Sequence, residues 1–195
     1  MQTIDDLLHV CRAEITSYAQ EYPRELFKLH HLLRQVAEQG IAVFDRKNMD
    51  GHVTVSVLVI NEDMDAALLI HHKAYNTWIP PGGHIESGSF SLLENGLREL
   101  SEETGLTLVR NSATLLDIDT HPIPARPEKG EDAHWHHDFM FVVKAPGSFE
   151  PTFQESELHG AAWRPMKDML SDFVPRNRRL AEKVKDLVNG CEGLD

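Results

Sequence analysis

Glu99, Glu102 and Glu103 stand at spacings of three and four residues, so a helix through them carries all three carboxylates on one face. Such a face repels itself. It also falls in the last turns before Gly105, a natural helix stop, where the helix dipole favours cations over anions. Arg98 can pair with Glu94 or Glu102, but one cation does not neutralise the group. A bare E-x-x-E-E is also what a solvated acidic face looks like, so the neighbours have to decide. Gly82-Gly83 lies a short way upstream, where a backbone without side chains can approach a ligand closely and present a carbonyl to a metal. A hard divalent cation, Mg²⁺ or alternatively Mn²⁺, turns the repulsion into binding, and its other ligands are waters and phosphate oxygens.

The elements that position these residues follow from periodicity. Ile4, Leu7, Leu8 and Cys11 recur at helical spacing, as do Leu26, Leu29, Leu32, Leu33 and Val36. They predict two helices parted by Pro23 and stopped at Gly40. From His52 the texture changes: Val53, Val55, Val57 and Val59 alternate with smaller or polar residues, which is a strand pattern. Asn61 to Asp65 reads as a turn and Ala66 to His71 as the returning strand. The Pro80-Pro81-Gly82-Gly83 loop leads into a helix from about Phe90 to Thr104. Further strands are predicted at Leu106 to Asp119, Phe139 to Val143 and Ala161 to Arg164, with a Pro- and charge-rich loop over Pro122 to Asp132. Helices follow near Pro165 to Leu170 and from Pro175. Strands in the middle with helices before, between and after make a mixed α/β or α+β domain.

Composition narrows the partners. The 195 residues are 41% hydrophobic and 26% charged, with a formal net charge of -12, ordinary for a globular chain. That charge argues against a nucleic-acid polymer or an anionic membrane as partner, and the negative charge of a small polyanionic substrate has to be met locally. Cys11 and Cys191 form no CxxC pair. With no signal stretch or membrane-length apolar run, a reducing cytoplasm is expected.

The segment from Gly82 to Leu106 resembles the Nudix box, the signature G-x5-E-x7-R-E-U-x-E-E-x-G-U in which U is aliphatic. Arg98-Glu99-Leu100-Ser101-Glu102-Glu103-Thr104-Gly105-Leu106 matches its second half without a gap, and Gly82-Gly83-His84-Ile85-Glu86 resembles its start. The first half departs from the pattern. Counting from Gly83 puts Ser89 where the early glutamate belongs, and eight residues rather than seven then precede Arg98, so the loop carries one extra residue. Glu86 and Glu94 are candidates for the missing carboxylate. Trp78-Ile79-Pro80-Pro81 before the box, and Glu155-Ser156-Glu157 with Trp163 after it, extend the likeness over roughly residues 40–170.

The resemblance implies an α/β/α sandwich with a mixed sheet, at residues 40–195, preceded by a helical extension at 1–39. It implies Mg²⁺-dependent hydrolysis of the diphosphate linkage in a nucleoside diphosphate derivative. Glu99 and Glu103 become the principal metal ligands. Glu102 is a further ligand, and the Gly82 carbonyl can join them. Arg98 orients the glutamates, with Gly83 and Glu86 in support. Glu157, Glu155 and Glu102 are the candidates for the base. Two other functions stay open: a catalytically silent nucleotide sensor, and an isoprenoid-diphosphate isomerase, which needs a cysteine near the site.

The run His134-Trp135-His136-His137-Asp138, with His121 upstream, invites a zinc reading, since His134, His136 and Asp138 share one strand face. Hydrogen bonding within a polar cleft mouth is the plainer account. A substrate role is preferred to structural zinc, with His84, His134, His136 and Arg126 as candidate substrate-binding residues. The N-terminal helices either cap the domain or build a homodimer contact.

Overall fold

The computed structural model describes residues 4–86, 88–108, 113–171 and 175–191. In chain order the elements are α1 (Ile4–Glu21), a 3₁₀ helix (Pro23–Leu29), α2 (His30–Gln39), a second 3₁₀ helix (Gly40–Phe44), β1 (His52–Ile60), β2 (Ala66–His72), β3 (Thr77–Ile79), β4 (Gly82–His84), α3 (Leu92–Thr104), β5 (Thr114–Ile123), a third 3₁₀ helix (Pro127–Lys129), β6 (His134–Lys144), β7 (Leu158–Pro165), α4 (Met166–Leu170) and α5 (Pro175–Cys191). The strands form one seven-stranded mixed sheet ordered β3-β2-β1-β6-β5, with β4 paired to β1 and β7 to β2. The fold is mixed α/β, as the alternation of patterns predicts.

Contacts divide the chain into two compact units that share β1, β5, β6 and α3. The first comprises Met1–Ser56, Gly82–Gly96 and Asp117–Met140. In it, α1 buries Leu7, Cys11, Ile15 and Tyr18 at helical spacing. The Tyr18 hydroxyl donates to Asp117 Oδ1 at 2.7 Å, and Lys28 Nζ stands 3.2 Å from the same oxygen. Asp117 is fully buried, and an enclosed carboxylate requires such partners. β4 pairs antiparallel with β1 in the register Thr54↔His84, Val55↔Gly83 and Ser56↔Gly82.

The second unit comprises Val57–Pro81, Leu97–Leu116 and Phe141–Asp195. β2 lies between β3 and β7 here, antiparallel to both. Its core gathers Val57, Val59, Leu68, Leu100, Leu106, Val143 and Ala145. Lys183 donates to the Leu116 carbonyl at 3.1 Å, tying α5 to the start of β5.

Four sequence expectations change. The strand placed at Leu106 to Asp119 begins only at Thr114 and runs through Pro122 to Ile123, so the loop begins later; residues 109–112 of that expectation lie outside the described residues. β6 begins at His134 and takes in the whole histidine run. The proline-glycine segment contains two short strands, β3 and β4, because Gly82 and Gly83 pair with β1. Pro23 parts the two N-terminal helices as expected, but Leu26 and Leu29 fall on a 3₁₀ helix and the second α-helix begins only at His30.

Candidate active site

α3 is built to hold its acidic face still. Ser91 Oγ accepts from the Glu94 N–H at 3.3 Å, the S-x-x-E arrangement that begins a helix. At the other end Gly105 has φ +74, a left-handed stop that glycine adopts without strain. Leu100 is fully buried in the core of its unit, with Leu97 packed against it. Glu99, Glu102 and Glu103 occupy other positions around the helix, and Glu102 is exposed. Arg98 forks between two of them: Nη2 lies 2.8 Å from Glu99 Oε1 and Nη1 2.9 Å from Glu102 Oε2. The donors are all carboxylate oxygens, and the Glu102 side chain keeps half of its surface in water. That set suits a hard cation which retains waters.

The later acidic loop is tied to the same helix. The Thr152 N–H donates to the Thr104 carbonyl at 2.9 Å, and Gln154 Nε2 reaches the Glu102 carbonyl at 3.4 Å. Glu155 and Glu157 follow immediately, both exposed. Their backbone is pinned by Lys73, whose N–H donates to the Glu157 carbonyl at 3.0 Å and whose ammonium meets the Glu155 carbonyl.

The box's first half is organised by a residue that the sequence reading passed over. Asn95 is 2% exposed. Its Oδ1 accepts from the Glu86 N–H at 3.0 Å, and its Nδ2 donates to Ser89 Oγ at 2.6 Å and to the Ser91 carbonyl at 2.8 Å. One amide therefore knits together the loop that carries the extra residue. Its signal was an amide at a helix position that turns out to face inward. Glu86 is exposed.

Gly82 earns its lack of a side chain from β1. A Cβ there would meet the Ser56 Cα and the Val55 carbonyl oxygen at 2.6 Å each. His84 follows two residues on, and its imidazole joins a cluster of rings. His52, His84 and His136 each place a ring nitrogen within 4.8 Å of the others. The His52 ring stacks on His134 with centroids 4.9 Å apart, and His134 Nε2 is 3.1 Å from His136 Nε2. Burial pushes the His84 imidazole down to about 3 and His136 down to about 2, with neighbouring imidazoles adding to both shifts. These rings are neutral at physiological pH.

The other polar residues of β6 have separate employments. Asp138 is not grouped with the imidazoles; it accepts from Thr54 Oγ1 at 2.8 Å and Ser56 Oγ at 2.9 Å. His137 points the other way, as strand alternation requires, to Gln35 Oε1 and Thr120 Oγ1 at 2.9 Å each. Arg126 pairs with Glu131 at 2.8 Å. His52 was missed as a cluster member. Its signal lay in the alternation itself: His52, Thr54 and Ser56 form the polar half of β1, yet all three are buried, so they face the matching polar stripe of His134, His136 and Asp138.

The NUDIX domain matches residues 50–184, more than half of the chain. The chain belongs to the Nudix family. Among relatives, this Nudix chain is 37% identical over 109 residues to the m7GpppN-mRNA hydrolase NUDT17 of Xenopus laevis, covering 53% of the present chain and 36% of that protein. It therefore spans about a third of that relative's length. It is 27% identical over 140 residues to a probable DHNTP pyrophosphohydrolase of Lactococcus lactis, covering 72% and 78% of the two chains. Among solved structures, a MutT Nudix hydrolase from Burkholderia pseudomallei aligns with TM-score 0.52 at 23% identity, over 69% of this chain and 98% of that one. The Nudix domain of Shewanella oneidensis NrtR, solved with ADP ribose, aligns with TM-score 0.53 at 20% identity, over 80% and 97%. These structural matches show the shared fold. Both sequence relatives are named as hydrolases, the second as a probable one.

One open alternative loses its footing at Cys11. That thiol is buried in α1 and pushed up to about 12 by burial, so it does not ionise to act as a nucleophile or acid-base group at neutral pH. The side chain of Cys191 lies outside the described residues. Among the described residues, no helix is long and apolar enough to cross a membrane.

Proposed function

We propose that this chain is a Mg²⁺-dependent Nudix pyrophosphohydrolase that cleaves the diphosphate linkage of a nucleoside diphosphate derivative in the cytoplasm. The observation that carries the reading is the uninterrupted Arg98–Leu106 half of the box, set on a helix anchored by Leu100 with Glu102 exposed. A nucleotide sensor has no need of three glutamates so placed. In this reading residues 40–195 form the hydrolase domain and 1–39 its helical extension.

Glu99 and Glu103 are the principal ligands, Glu102 a further one, and the Gly82 carbonyl belongs to the same proposed donor set. A divalent cation held there supplies polarisation of a phosphoryl oxygen and a bound water of lowered pKa; Mn²⁺ is the alternative ion. Arg98 orients Glu99 and Glu102 by ion pairing. Glu157 accepts the proton of the attacking water, with Glu155 and Glu102 as the alternative bases. The water oxygen bonds to phosphorus as the bridging P–O bond breaks, and the leaving phosphate takes the electron pair. Arg126 is the candidate contact to substrate; His84, His134 and His136 can serve that role only when they hold no ion of their own.

The relatives suggest where to begin on substrate. One acts on m7GpppN caps and another on DHNTP, so both belong in a panel with nucleoside triphosphates, nucleotide sugars, ADP-ribose and dinucleotide polyphosphates. The purified protein and its Glu103→Gln variant are assayed side by side with Mg²⁺. Metal-dependent turnover that collapses in the variant supports the reading and names the substrate class. Tight binding of one compound without turnover overturns it in favour of a sensor.

A further inference from the structure

We propose that His52, His84 and His136 form a second metal site, for a borderline divalent transition ion such as Zn²⁺, with His134 as its fourth imidazole. The site is separate in chemistry from the carboxylates of α3. Its donors are all nitrogen, and imidazole selects zinc, iron, nickel or copper ions over Mg²⁺.

Four observations carry it. The three ligand nitrogens lie within 4.8 Å of one another. The His52 ring is 1% exposed, and its Nε2 is buried with no hydrogen-bond partner, a cost that a native fold rarely leaves without a use. The His52 Nδ1 stands 3.2 Å from the Asn48 carbonyl, and the His134 Nδ1 stands 2.7 Å from the Asp132 carbonyl. Each carbonyl accepts an Nδ1–H, which puts the lone pair on Nε2; second contacts of this kind fix the tautomer of metal-binding histidines. The 3.1 Å between His134 Nε2 and His136 Nε2 is a ring-to-ring hydrogen-bond distance. It is also close to the ~3.3 Å that separates two donors on a tetrahedral ion with bonds of ~2.0–2.1 Å.

The fold explains why the rings converge. His52 opens β1, His84 closes β4 opposite Thr54, and His134 and His136 begin β6 on one strand face. An ion there clasps the beginnings of β1 and β6 and the end of β4.

The test reads metal rather than turnover, so it is independent of the hydrolase proposal. The full chain is stripped with a chelator, then titrated with Zn²⁺ against a chromophoric competitor in buffer with excess Mg²⁺, which occupies the carboxylate face. One equivalent should bind with Kd tighter than about 1 μM and raise the melting midpoint by on the order of 5 °C. Co²⁺ in its place should give the visible absorption of a nitrogen-ligated, near-tetrahedral ion. His84→Gln and His136→Gln should each weaken binding by about a hundredfold, in line with loss of one ligand. Circular dichroism of each stripped variant checks its fold, and the partly exposed position of His84 makes that variant the safer one. Glu102→Gln should keep the Zn²⁺ equivalent. Absence of a tight equivalent in the wild type, its retention when both histidines are replaced, or displacement by Mg²⁺ overturns the proposal. So does a Co²⁺ spectrum of octahedral oxygen ligation, whatever the variants do.

Discussion

The acidic face of α3 gathers its donors within five residues of a single helix, whereas the imidazole cluster draws its rings from three strands well separated in sequence. The first set is acidic and only partly wet: Glu102 keeps half of its side-chain surface in water while Glu99 keeps 18%, and Arg98 pairs with both. The second is dry, with His52, His134 and His136 all buried. Hard oxygen donors that retain water suit an ion which must also take phosphate oxygens and be released. Buried nitrogen donors suit an ion that stays. One sheet-and-helix fold thus carries two donor sets whose chemistry hardly overlaps, and each is sensitive to a different kind of substitution.

The sharpest division of the two is Glu103→Gln. Removing one carboxylate from the helix face should lower the metal-dependent rate by on the order of a hundredfold or more. The variant's melting curve should stay near that of the parent. Steady-state assays beside a thermal melt check both halves. A rate within a few-fold of wild type would show that the acidic face is only a solvated surface.

Leu100→Ala attacks the same face from behind. Leu100 is fully buried in its core cluster, and truncation of such a leucine costs about 2–5 kcal/mol. Urea unfolding should show the loss as a lower midpoint. Activity in native buffer should fall less than in Glu103→Gln, because the carboxylates themselves remain.

How far each region was legible follows from how it is assembled. The glutamates, Arg98 and Gly105 lie on one continuous helix, where spacing alone fixes a shared face, so the reading needs no tertiary information. The helix boundary differed by two residues because Ser91 caps α3, a detail of local hydrogen bonding. The histidine cluster depends on which strands become neighbours. His134 and His136 were recognisable as a pair from period-two spacing, but Asp138 was grouped with them when it in fact serves Thr54 and Ser56. Nothing local says that His52 meets His136, because strand pairing between distant segments is settled by packing. The start of β5 was misplaced for a related reason: Leu106 and Leu108 read as strand residues, but Leu106 belongs to the core around Leu100 and Leu108 packs against it.

Gly82→Ala tests whether the imidazole cluster depends on backbone fit at β4. The new Cβ meets the Ser56 backbone and the Val55 carbonyl at 2.6 Å, so β4 has to withdraw from β1. Overpacking of this kind costs about 1–3 kcal/mol. His84 sits two residues along the same short strand, so Zn²⁺ affinity should fall with stability. Calorimetric titration of the variant beside the parent reads both. Unchanged affinity at lowered stability would show that His84 keeps its place without the β1–β4 pairing.

The smallest effect is expected from Arg98→Lys. The guanidinium reaches Glu99 and Glu102 at once, through separate nitrogens at 2.8 and 2.9 Å. A lysine keeps the charge but has one ammonium on a flexible stem and cannot reproduce the fork. Because the pairs are partly exposed, stability should change by less than about 1 kcal/mol. The rate should nonetheless drop several-fold, with the Mg²⁺ concentration for half-maximal activity rising, since the carboxylates are then less firmly directed. Arg98→Met should deepen the rate loss without moving the melting midpoint much further. If lysine restores the parental Mg²⁺ dependence, the arginine contributes charge alone, and the fork is incidental to how the helix face is held.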